Sequence, residues 1–528
     1  MVKEKLMTLH GVNIIIVVFL YIFNFIVNYN VIDTYFYGTW VALLFLILIS
    51  VITLFGRVFH AIFSILILIS ASSALYFKFF YKIGLTEEII FSGIVNDVML
   101  TSELMSINLV AWVFCTAIIP IVILIRLKVE KTSIIHRVKT LIVTAIIAIT
   151  WVAIIFSNQK FSFKDPGTIR DPKLTLSIHS FSPVDLIYFT KLAFTSYKKY
   201  TSSWSDVENI LEKEQFSLAV DVEATTVVFI LGETARADRW GINNYKLNTT
   251  PRLAETPNVF NFSNVKSCDT ITVRSLACIF SRMTKKEHEV VPRETSFIEI
   301  FKSLGFSVKI FTLQNAQKLY HYFNYDQLVT LSSILKSSKN KEVFDKQLIP
   351  YLGEAVESVK ENQIILLHTL GSHYAYHDRF AKEDAKFEPY CNSADLMNCT
   401  EKEISNAYDN TIYITDQFIA QVIEQLKGKK AVVFYTSDHG ESLGENGHYF
   451  HGASPKTAPK EQFHVPMLAW LSPEFIATKT GNKVYKKLSM IGKDQEISHD
   501  NIFHTVLGCL GVSADKNGIN EKLNLCAD

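Results

Sequence analysis

Five apolar runs dominate the first 158 residues of the chain. They cover residues 11–29, 38–55, 58–77, 107–126 and 138–157. Each run has close to the ~20 residues that an α-helix needs to cross the hydrocarbon core of a bilayer. The pattern therefore predicts an α-helical membrane domain with five transmembrane helices. Because no small-residue cleavage site follows the first run, we expect that run to be retained as a signal anchor.

Basic residues between the apolar runs indicate which side of the membrane each connection faces. Lys3 and Lys5 precede the first run, and Arg57 lies between the second and the third. The connection between the fourth and fifth runs carries Arg126, Lys128, Lys131, Arg137 and Lys139. An excess of Lys and Arg marks cytoplasmic connections. Because the number of spans is odd, everything after residue 158 is predicted to lie on the outer side.

Two further segments have the pattern of helices at the membrane surface. Residues 85–108 mix apolar and acidic side chains at helical spacing, which suits a helix on the outer membrane surface or one packed against the large domain. In the second segment, Ser182, Pro183 and Asp185 supply an N-cap, a proline and an early acid. The residues that follow combine an apolar stripe with interfacial side chains: Leu186, Tyr188, Phe189, Lys191, Leu192, Ala193, Tyr197, Lys198, Lys199 and Tyr200. This segment is predicted to be an interfacial helix, with a solvated linker helix as the alternative.

From Glu223 onward the pattern changes to α/β, with short β-branched or aromatic runs between longer helical stretches. The candidate central strands are Thr225–Leu231, Ser307–Thr312, Gln363–Leu367 and Ala431–Tyr435. Polar residues follow three of these strands directly: Glu233 after the first, His368 and His373 after the third, Asp438 and His439 after the fourth. Ligands of open α/β sheets bind at the carboxyl ends of strands. The placement predicts a single active site at that edge.

Composition agrees with a chain of two parts. Hydrophobic residues make up 49% of the 528 residues, which is more than a soluble enzyme of that size normally carries. Net charge is only +1, so nothing global suggests a nucleic-acid partner. We expect a transmembrane domain over residues 1–158, an interfacial helix and linker over 159–222, and a catalytic domain over 223–528.

The strand-end residues have the chemistry of a metal site. Glu233 and Asp438 offer carboxylates and His439 offers an imidazole, a ligand set that suits zinc, with a Thr alkoxide as a possible fourth ligand. A metal that stabilises an alkoxide makes an alcohol a competent nucleophile near neutral pH. The alternative is that Asp438-His439-Gly440 is only a polar turn between a strand and a helix.

A stretch bracketed by Cys268 and Cys278 contains the candidate nucleophiles, Thr270 and Thr272. If a helix begins near Val273, its free backbone N–H groups and positive dipole end point toward oxygens that gain charge during phosphoryl transfer. Without further information, an ordinary N-cap is the favoured interpretation of either threonine. The residues alone leave this choice open.

In combination and order, the polar motifs resemble those of the phosphoethanolamine transferases of Gram-negative envelopes, which include lipid A transferases and mobile colistin-resistance enzymes. The motifs are Gly232-Glu233-Thr234-Ala235-Arg236, Cys268-x-x-x-Thr272 with Cys278, Gly371-Ser372-His373, Ser437-Asp438-His439-Gly440-Glu441, and Glu445-Asn446-Gly447-x-x-x-His451-Gly452. The resemblance covers nearly the whole chain. It implies five transmembrane helices followed by a periplasmic α/β domain of the alkaline phosphatase/sulfatase type.

The resemblance also implies a role for particular residues. Thr272 matches the family nucleophile, and the catalytic zinc ligands are Glu233, Thr272, Asp438 and His439. His373 and His451 match histidines that contact substrate or a second zinc ion, and Asn315 loosely matches a substrate-contacting position. His368 and His448 have no transferable role, so we expect them to be structural or exposed to solvent.

The cysteines carry a further expectation. Cys268/Cys278 and Cys391/Cys399 match disulfide spacings of the resembled family, and Cys509/Cys526 is a candidate third pair in the same exported part, where disulfides persist. Cys115 falls within a predicted span and is expected to be a free, buried thiol. One family disulfide has no cysteines here, so the loop over residues 313–345 is expected to differ.

The implied reaction is transfer of phosphoethanolamine from phosphatidylethanolamine to lipid A or the lipopolysaccharide inner core, through a phosphothreonine-type intermediate. The protein is expected to be a monomer in the bacterial inner membrane, with its catalytic domain in the periplasm. One rival is a phosphoglycerol transferase; another is a phosphatase-like or sulfatase-like hydrolase of the same fold. A formylglycine sulfatase motif is absent at Cys268 and Cys278. A non-catalytic envelope sensor is the remaining alternative.

Overall fold

The fold is described from a computed structural model, which covers residues 9–28, 31–95, 105–126, 133–157, 182–287, 289–314, 318–337, 342–357 and 361–527. The chain forms two compact units. One comprises Met1–Ile90 with Met105–Ala193, and the other comprises Phe91–Leu104 with Phe194–Asp528.

The first unit is helical. Its helices are Leu9–Asn28, Val31–Ile52, Arg57–Tyr81, Ile107–Val113, Ile119–Arg126 and Ile134–Ser157, and a π-helical turn at Phe114–Ile118 joins the fourth to the fifth. Every predicted apolar span overlaps one of these helical segments. Among the described residues, Val58–Tyr81 and Ile107–Leu124 are long and apolar enough to cross a membrane, while Gly11–Asn24 and Val41–Phe55 are shorter apolar helices. The count of five spans therefore stays a prediction.

Large aliphatic side chains hold these helices together. Ile16 and Leu20 of the first helix pack in one buried cluster with Ile49 of the second and Leu68 of the third. Cys115 is free, as predicted, but its side chain is exposed, so the prediction of a buried thiol is wrong. The reason is its position on the outer face of the Phe114–Ile118 turn, whereas Ala117, two residues later, is fully buried in the cluster.

The predicted helix after Ser182-Pro183 is present as Val184–Ser202. Asn24 fixes the start of this helix, because its amide oxygen accepts from the Ser182 backbone N–H at 2.9 Å and its amide nitrogen donates to the Ser182 carbonyl at 2.7 Å. The Ser182 hydroxyl donates to the Asp185 carboxylate at 2.7 Å. In the other predicted surface segment, a helix covers Glu87–Val95, and residues 96–104 lie outside the described residues.

The second unit is built on a mixed sheet of eight strands. Within the described residues, the strands are β1 Phe216–Leu218, β2 Thr226–Gly232, β3 Val259–Lys266, β4 Ser307–Thr312, β5 Gln327–Val329, β6 Gln363–His368, β7 Ala431–Ser437, β8 Ser442–Leu443, β9 Tyr449–Phe450, β10 His464–Leu471, β11 Ile497–Ser498 and β12 Val512–Ala514. The order in the main sheet is β11-β3-β10-β7-β2-β6-β4-β5. All four predicted strands are present, lie side by side, and run parallel. Sequence reading did not identify β3 and β10, which pair antiparallel beyond β7.

Helices cover this sheet. They are Pro251–Glu255, Thr272–Phe280, Phe297–Ser303, Lys318–Tyr322, Leu331–Ser337, Ile349–Glu357, Glu401–Gln425, Pro473–Ile476, Lys479–Met490 and Ile502–Cys509. Strands β2, β6 and β7 are buried at every position, because apolar residues face helices on both sides of a parallel sheet. Three disulfides are formed: Cys268–Cys278, Cys391–Cys399 and Cys509–Cys526.

Candidate active site

The carboxyl ends of two neighbouring strands create the site. Gly232 at the end of β2 pairs with Ser437 at the end of β7, so the residues that follow each strand leave the sheet side by side. Glycine is required at position 232, because a Cβ atom there would lie 2.4 Å from the Tyr435 hydroxyl oxygen. The close approach brings Glu233 next to Asp438 and His439.

Glu233, Asp438 and His439 form a fully buried cluster. His439 Nε2 lies 3.3 Å from Glu233 Oε1 and 3.4 Å from Asp438 Oδ2. One ligand atom from each side chain lies within 4.8 Å of the others, a spacing that a metal ion can bridge. The structure thus brings together three residues that sequence reasoning proposed as ligands.

Backbone groups orient these side chains toward one point. Asp438 Oδ1 accepts from the N–H groups of Thr234 at 3.1 Å and His439 at 2.8 Å. His439 Nδ1 lies 3.0 Å from the Gly440 carbonyl, which fixes the tautomer and leaves Nε2 as a ligand atom. Within the described part of the chain, Glu233 Oε1 and Asp438 Oδ2 accept no hydrogen bond although both are buried. Such oxygens are costly unless a cation binds them.

Thr272 completes the cluster. It is the first residue of the helix Thr272–Phe280, preceded by Ile271 in an extended conformation. Its hydroxyl donates to Glu233 Oε2 at 3.3 Å and lies 3.4 Å from His439 Nε2. The competing hydroxyl of Thr270 donates instead to the Ala453 carbonyl at 2.8 Å. Of the two candidate nucleophiles, only Thr272 contacts the proposed ligands.

The charges in the cluster are strongly coupled. Burial alone would raise the pKa of Glu233, but the adjacent His439 and the more distant His373 hold that pKa well below its ordinary value. Burial and the Glu233 charge raise the pKa of Asp438 to about 7. Burial would lower the pKa of His439, yet Asp438 and Glu233 together raise it. The negative charges of Glu233 and Asp438 repel each other at this distance. A bound metal ion or a proton would offset that repulsion.

His373 and His451 lie on the open side of the cluster. The His451 ring lies over the His439 ring with centroids 4.3 Å apart, and the His373 ring centroid is 5.9 Å from that of His451. His451 Nδ1 is 2.7 Å from Glu441 Oε2, and the Tyr376 hydroxyl donates to Glu441 Oε1 at 2.7 Å. Sequence reasoning named both histidines but not the Glu441–Tyr376 pair that orients one of them.

Gln314 contacts the cluster, whereas the sequence predicted a substrate contact for the next residue, Asn315. Asn315 lies outside the described residues, so its predicted substrate contact stays a prediction. The Gln314 amide donates to Glu233 Oε2 at 2.5 Å and to the Thr369 carbonyl at 3.2 Å. Gln314 lies just after β4, at the sheet edge that also carries Glu233, and this position could have identified it as a site residue from the sequence.

The two histidines without a transferred role differ in environment. His368 is fully buried, and its Nδ1 lies 2.6 Å from the Tyr320 hydroxyl, while its Nε2 has no hydrogen-bond partner among the described residues. Its structural role stays a prediction. Burial lowers the pKa of His368 to about 4. His448 is half-buried in the loop between β8 and β9.

The residues present fit a zinc ion. Glu233, Asp438, His439 and Thr272 would hold it, because two carboxylates, one imidazole and one hydroxyl form a hard-to-borderline donor set, and two of the buried oxygens lack another partner. Two further histidines, His373 and His451, lie beside these ligands and offer imidazole groups for substrate oxygens.

Comparisons with known proteins agree with this geometry. Residues 225–512 match the sulfatase family, and residues 41–170 match the family described as phosphoethanolamine transferase EptA/EptB. The integral membrane lipooligosaccharide phosphoethanolamine transferase A of Neisseria meningitidis has the same fold, with a TM-score of 0.83, 24% identity and coverage of 99% of both chains.

Two curated relatives extend over most of the sequence. The Kdo(2)-lipid A phosphoethanolamine 7''-transferase of Escherichia coli strain K12 is 30% identical over 495 residues, covering 91% of this chain and 87% of the relative. The phosphatidylethanolamine transferase Mcr-1 of Escherichia coli is 30% identical over 476 residues, covering 86% of this chain and 84% of the relative. The chain therefore belongs to the EptA/EptB-type phosphoethanolamine transferase family.

Proposed function

We propose that this enzyme transfers phosphoethanolamine from phosphatidylethanolamine to lipid A or the lipopolysaccharide inner core, through a covalent phosphothreonine-type intermediate on Thr272. One observation carries the proposal. The Thr272 hydroxyl lies 3.3 Å from Glu233 and 3.4 Å from His439, beside buried carboxylate oxygens with no other partner in the described chain. That arrangement suits an activated alcohol rather than a helix cap.

The site is proposed to be zinc-dependent, with the ion held by Glu233, Thr272, Asp438 and His439. When bound, zinc favours the alkoxide form of an alcohol and neutralises charge on phosphoryl oxygens. The carboxylates of Glu233 and Asp438 supply the negative charge that selects a cation here. One ion accounts for these ligands, and His373 with His451 offers donors for a second.

In the first step, a bond forms between Thr272 Oγ1 and the donor phosphorus, and the bond from phosphorus to the glycerol oxygen breaks. The Thr272 proton passes to a base such as His451 Nε2, and a proton from that base goes to the glycerol oxygen, so that diacylglycerol leaves as an alcohol. The first N–H groups of the helix Thr272–Phe280 offer hydrogen bonds to phosphoryl oxygens that gain charge. Because His451 Nδ1 is held by Glu441, His451 Nε2 remains to bind a substrate oxygen or move this proton.

In the second step, an acceptor oxygen attacks the phosphorus of the phosphoethanolamine-threonine, and the bond to Thr272 Oγ1 breaks. The acceptor is a phosphate or hydroxyl of the glycolipid, and a hydroxyl acceptor gives up its proton. His373 and His451 face this exchange because they lie beside the cluster with rings 5.9 Å apart. Thr272 is restored.

The proposed location is the bacterial inner membrane, with the catalytic domain in the periplasm and the protein acting as a monomer. Residues 1–158 form the membrane domain, 159–222 the interfacial helix and linker, and 223–528 the catalytic domain. The apolar helices, the three disulfides and the match of residues 225–512 to the sulfatase family support this division.

The test is mass spectrometry of lipopolysaccharide from cells that express the wild-type protein or Thr272→Ala. Wild type is expected to add the mass of one phosphoethanolamine to lipid A or to the core, and the variant is expected to add none at equal expression. Thr270→Ala serves as the matched control and should retain transfer. If lipid A and core both stay unmodified with wild type, the substrate assignment is wrong.

A further inference from the structure

A cavity of about 450 Å³ lies in the second unit, and none of the proposed metal ligands lines it. Three segments form its wall: Phe344–Lys346, Arg379–Lys386, and one face of the helix Glu401–Gln425. On that helix, Tyr413, Gln417 and Gln421 follow one another at intervals of four residues and therefore lie on one face. The volume is that of a site for a small molecule or for part of a larger one.

The lining combines aromatic rings with open polar groups. Phe380 and Tyr413 offer flat apolar surface, while Gln421, Lys386 and the Tyr413 hydroxyl offer hydrogen bonds. Within the described residues, the side chains of Gln421 and Lys386 and the Tyr413 hydroxyl make no hydrogen bond or ion pair to protein. A saccharide has hydroxyls around its rim and C–H groups on its faces, and it matches both features.

The cavity also favours negative charge. Three cationic side chains, Lys346, Arg379 and Lys386, line it against the carboxylates of Glu383 and Asp384. Lys346 pairs with Asp384 at 3.3 Å and Arg379 donates to backbone carbonyls, so among the described residues Lys386 is the lining cation that is left for an anionic group. Arg379 is 5% exposed, so its charge is little screened by solvent. An anionic saccharide therefore fits better than a neutral one.

Two walls of the cavity hold the loop that carries His373. Arg379 donates from Nε to the His373 carbonyl at 3.0 Å and from Nη2 to the Tyr374 carbonyl at 2.7 Å. Asp345, between two lining residues, accepts from the N–H groups of Leu370 at 2.8 Å and Gly371 at 3.2 Å. A molecule in the cavity thus lies against the support of a histidine beside the nucleophile.

We propose that this cavity binds an anionic sugar of the acceptor glycolipid and so positions the acceptor for the second step. The inference rests on the proposed function, because the acceptor there is a phosphorylated glycolipid. It adds a binding site for the carbohydrate part, made by Tyr413, Gln421, Lys386 and Arg379.

The first experiment measures binding directly. Full-length zinc-loaded protein in detergent is titrated with deacylated, phosphorylated lipopolysaccharide core saccharide, using wild type, the double variant Tyr413→Phe/Lys386→Glu, and Lys402→Glu as a charge-matched control on the same helix. The double variant is expected to bind at least about tenfold more weakly, since one charged and one neutral hydrogen bond are lost. The control should bind like wild type. Equal binding by the double variant, or no binding by wild type, would overturn the inference.

The second experiment separates this inference from the proposed function. Diacylglycerol release from phosphatidylethanolamine without acceptor reports the donor step, and transfer at varied acceptor concentration reports the acceptor KM. We expect the double variant to release diacylglycerol at the wild-type rate while its acceptor KM rises about tenfold or more. Unchanged KM with intact donor cleavage contradicts the saccharide site alone, whereas absent donor cleavage by wild type contradicts the proposed function. Equal thermal unfolding temperatures for the three proteins verify folding.

Discussion

Replacing Gln314 tests whether the residues around the ligands control the metal site. The Gln314 amide donates to Glu233 Oε2 at 2.5 Å and to the Thr369 carbonyl at 3.2 Å, so it fixes the rotamer of a buried carboxylate. Gln314→Ala removes a hydrogen bond to a charged group, worth about 1.5–3 kcal/mol. If that energy acts on the ligand geometry, zinc affinity falls about 10- to 100-fold, the range typical for groups that orient metal ligands.

The measurement is competition for zinc between a chelator of known affinity and purified full-length protein, followed by activity at saturating zinc. Gln314→Ala should show weaker zinc binding and partial recovery of activity when zinc is in excess. Gln327→Ala makes the same chemical change on the exposed edge strand β5 and should behave like wild type. Zinc affinity and kcat equal to wild type in Gln314→Ala would refute the assignment of Glu233 as a ligand oriented by this amide.

Three further sets of substitutions test the support of His451, the disulfide beside Thr272 and the buried carboxyl of Asp345. Glu441→Gln should lower kcat about 10- to 100-fold with little change in zinc content, because His451 Nδ1 loses a charged partner at 2.7 Å. Steady-state kinetics and metal analysis measure these two quantities. An unchanged kcat would contradict the role of Glu441 in orienting His451. Replacing Cys268 and Cys278 by serine should lower the free energy of unfolding by about 2–4 kcal/mol and also reduce transfer activity. The same change at Cys391 and Cys399 should lower the free energy of unfolding alone. Equal losses of activity in the two variants would show that the Cys268–Cys278 disulfide has no special effect on Thr272. Burial raises the pKa of Asp345 to about 6, above its ordinary value near 3.8, so between these values the folded state keeps a proton that the unfolded chain has lost. The contribution of Asp345 to the free energy of unfolding should therefore fall by up to about 3 kcal/mol as pH rises from about 4 to about 6. The measurement is the difference in free energy of unfolding between wild type and Asp345→Asn, and a difference that stays constant across this pH range would contradict the prediction.

Sequence reasoning predicted the central strands well because their signal is local. Strands β2, β4, β6 and β7 are short buried runs of branched and aromatic residues, and their bounds agree with the predictions to within two residues. Strands β3 and β10 were not predicted from the sequence. β3 is fully buried at only two of its eight positions, Phe262 and Val265, so it lacks the continuous apolar pattern of a central strand. β10 is apolar after His464, but a proline at its bulge argues against a central strand.

The candidate site was predictable where chemistry and position coincide. Glu233, Asp438 and His439 follow strands that a parallel sheet aligns, so their proximity follows from topology. The choice of Thr272 over Thr270 needed either the family resemblance or the structure, because both are hydroxyls near one helix start. Only the three-dimensional structure shows that the Thr270 hydroxyl donates its hydrogen bond to the Ala453 carbonyl.

Other contributors could not be predicted, because their effect depends on side-chain direction. Gln314 reaches Glu233 across neighbouring strands, and Tyr376 reaches Glu441 from a separate loop. Neither contact leaves a spacing signature in the sequence. The exposed Cys115 has the same explanation, since which side of a helix faces its neighbours is decided by packing.

Intact-protein mass spectrometry can detect the covalent phosphoethanolamine-threonine intermediate itself. Full-length zinc-loaded protein is incubated with phosphatidylethanolamine without acceptor, quenched in acid, and digested to locate any adduct. We expect one phosphoethanolamine on Thr272 of the wild-type protein and none in Thr272→Ala. The adduct should be present in Thr270→Ala and should disappear when acceptor glycolipid is added. Diacylglycerol release and acceptor modification with no adduct on Thr272, or an adduct on another residue, would contradict it.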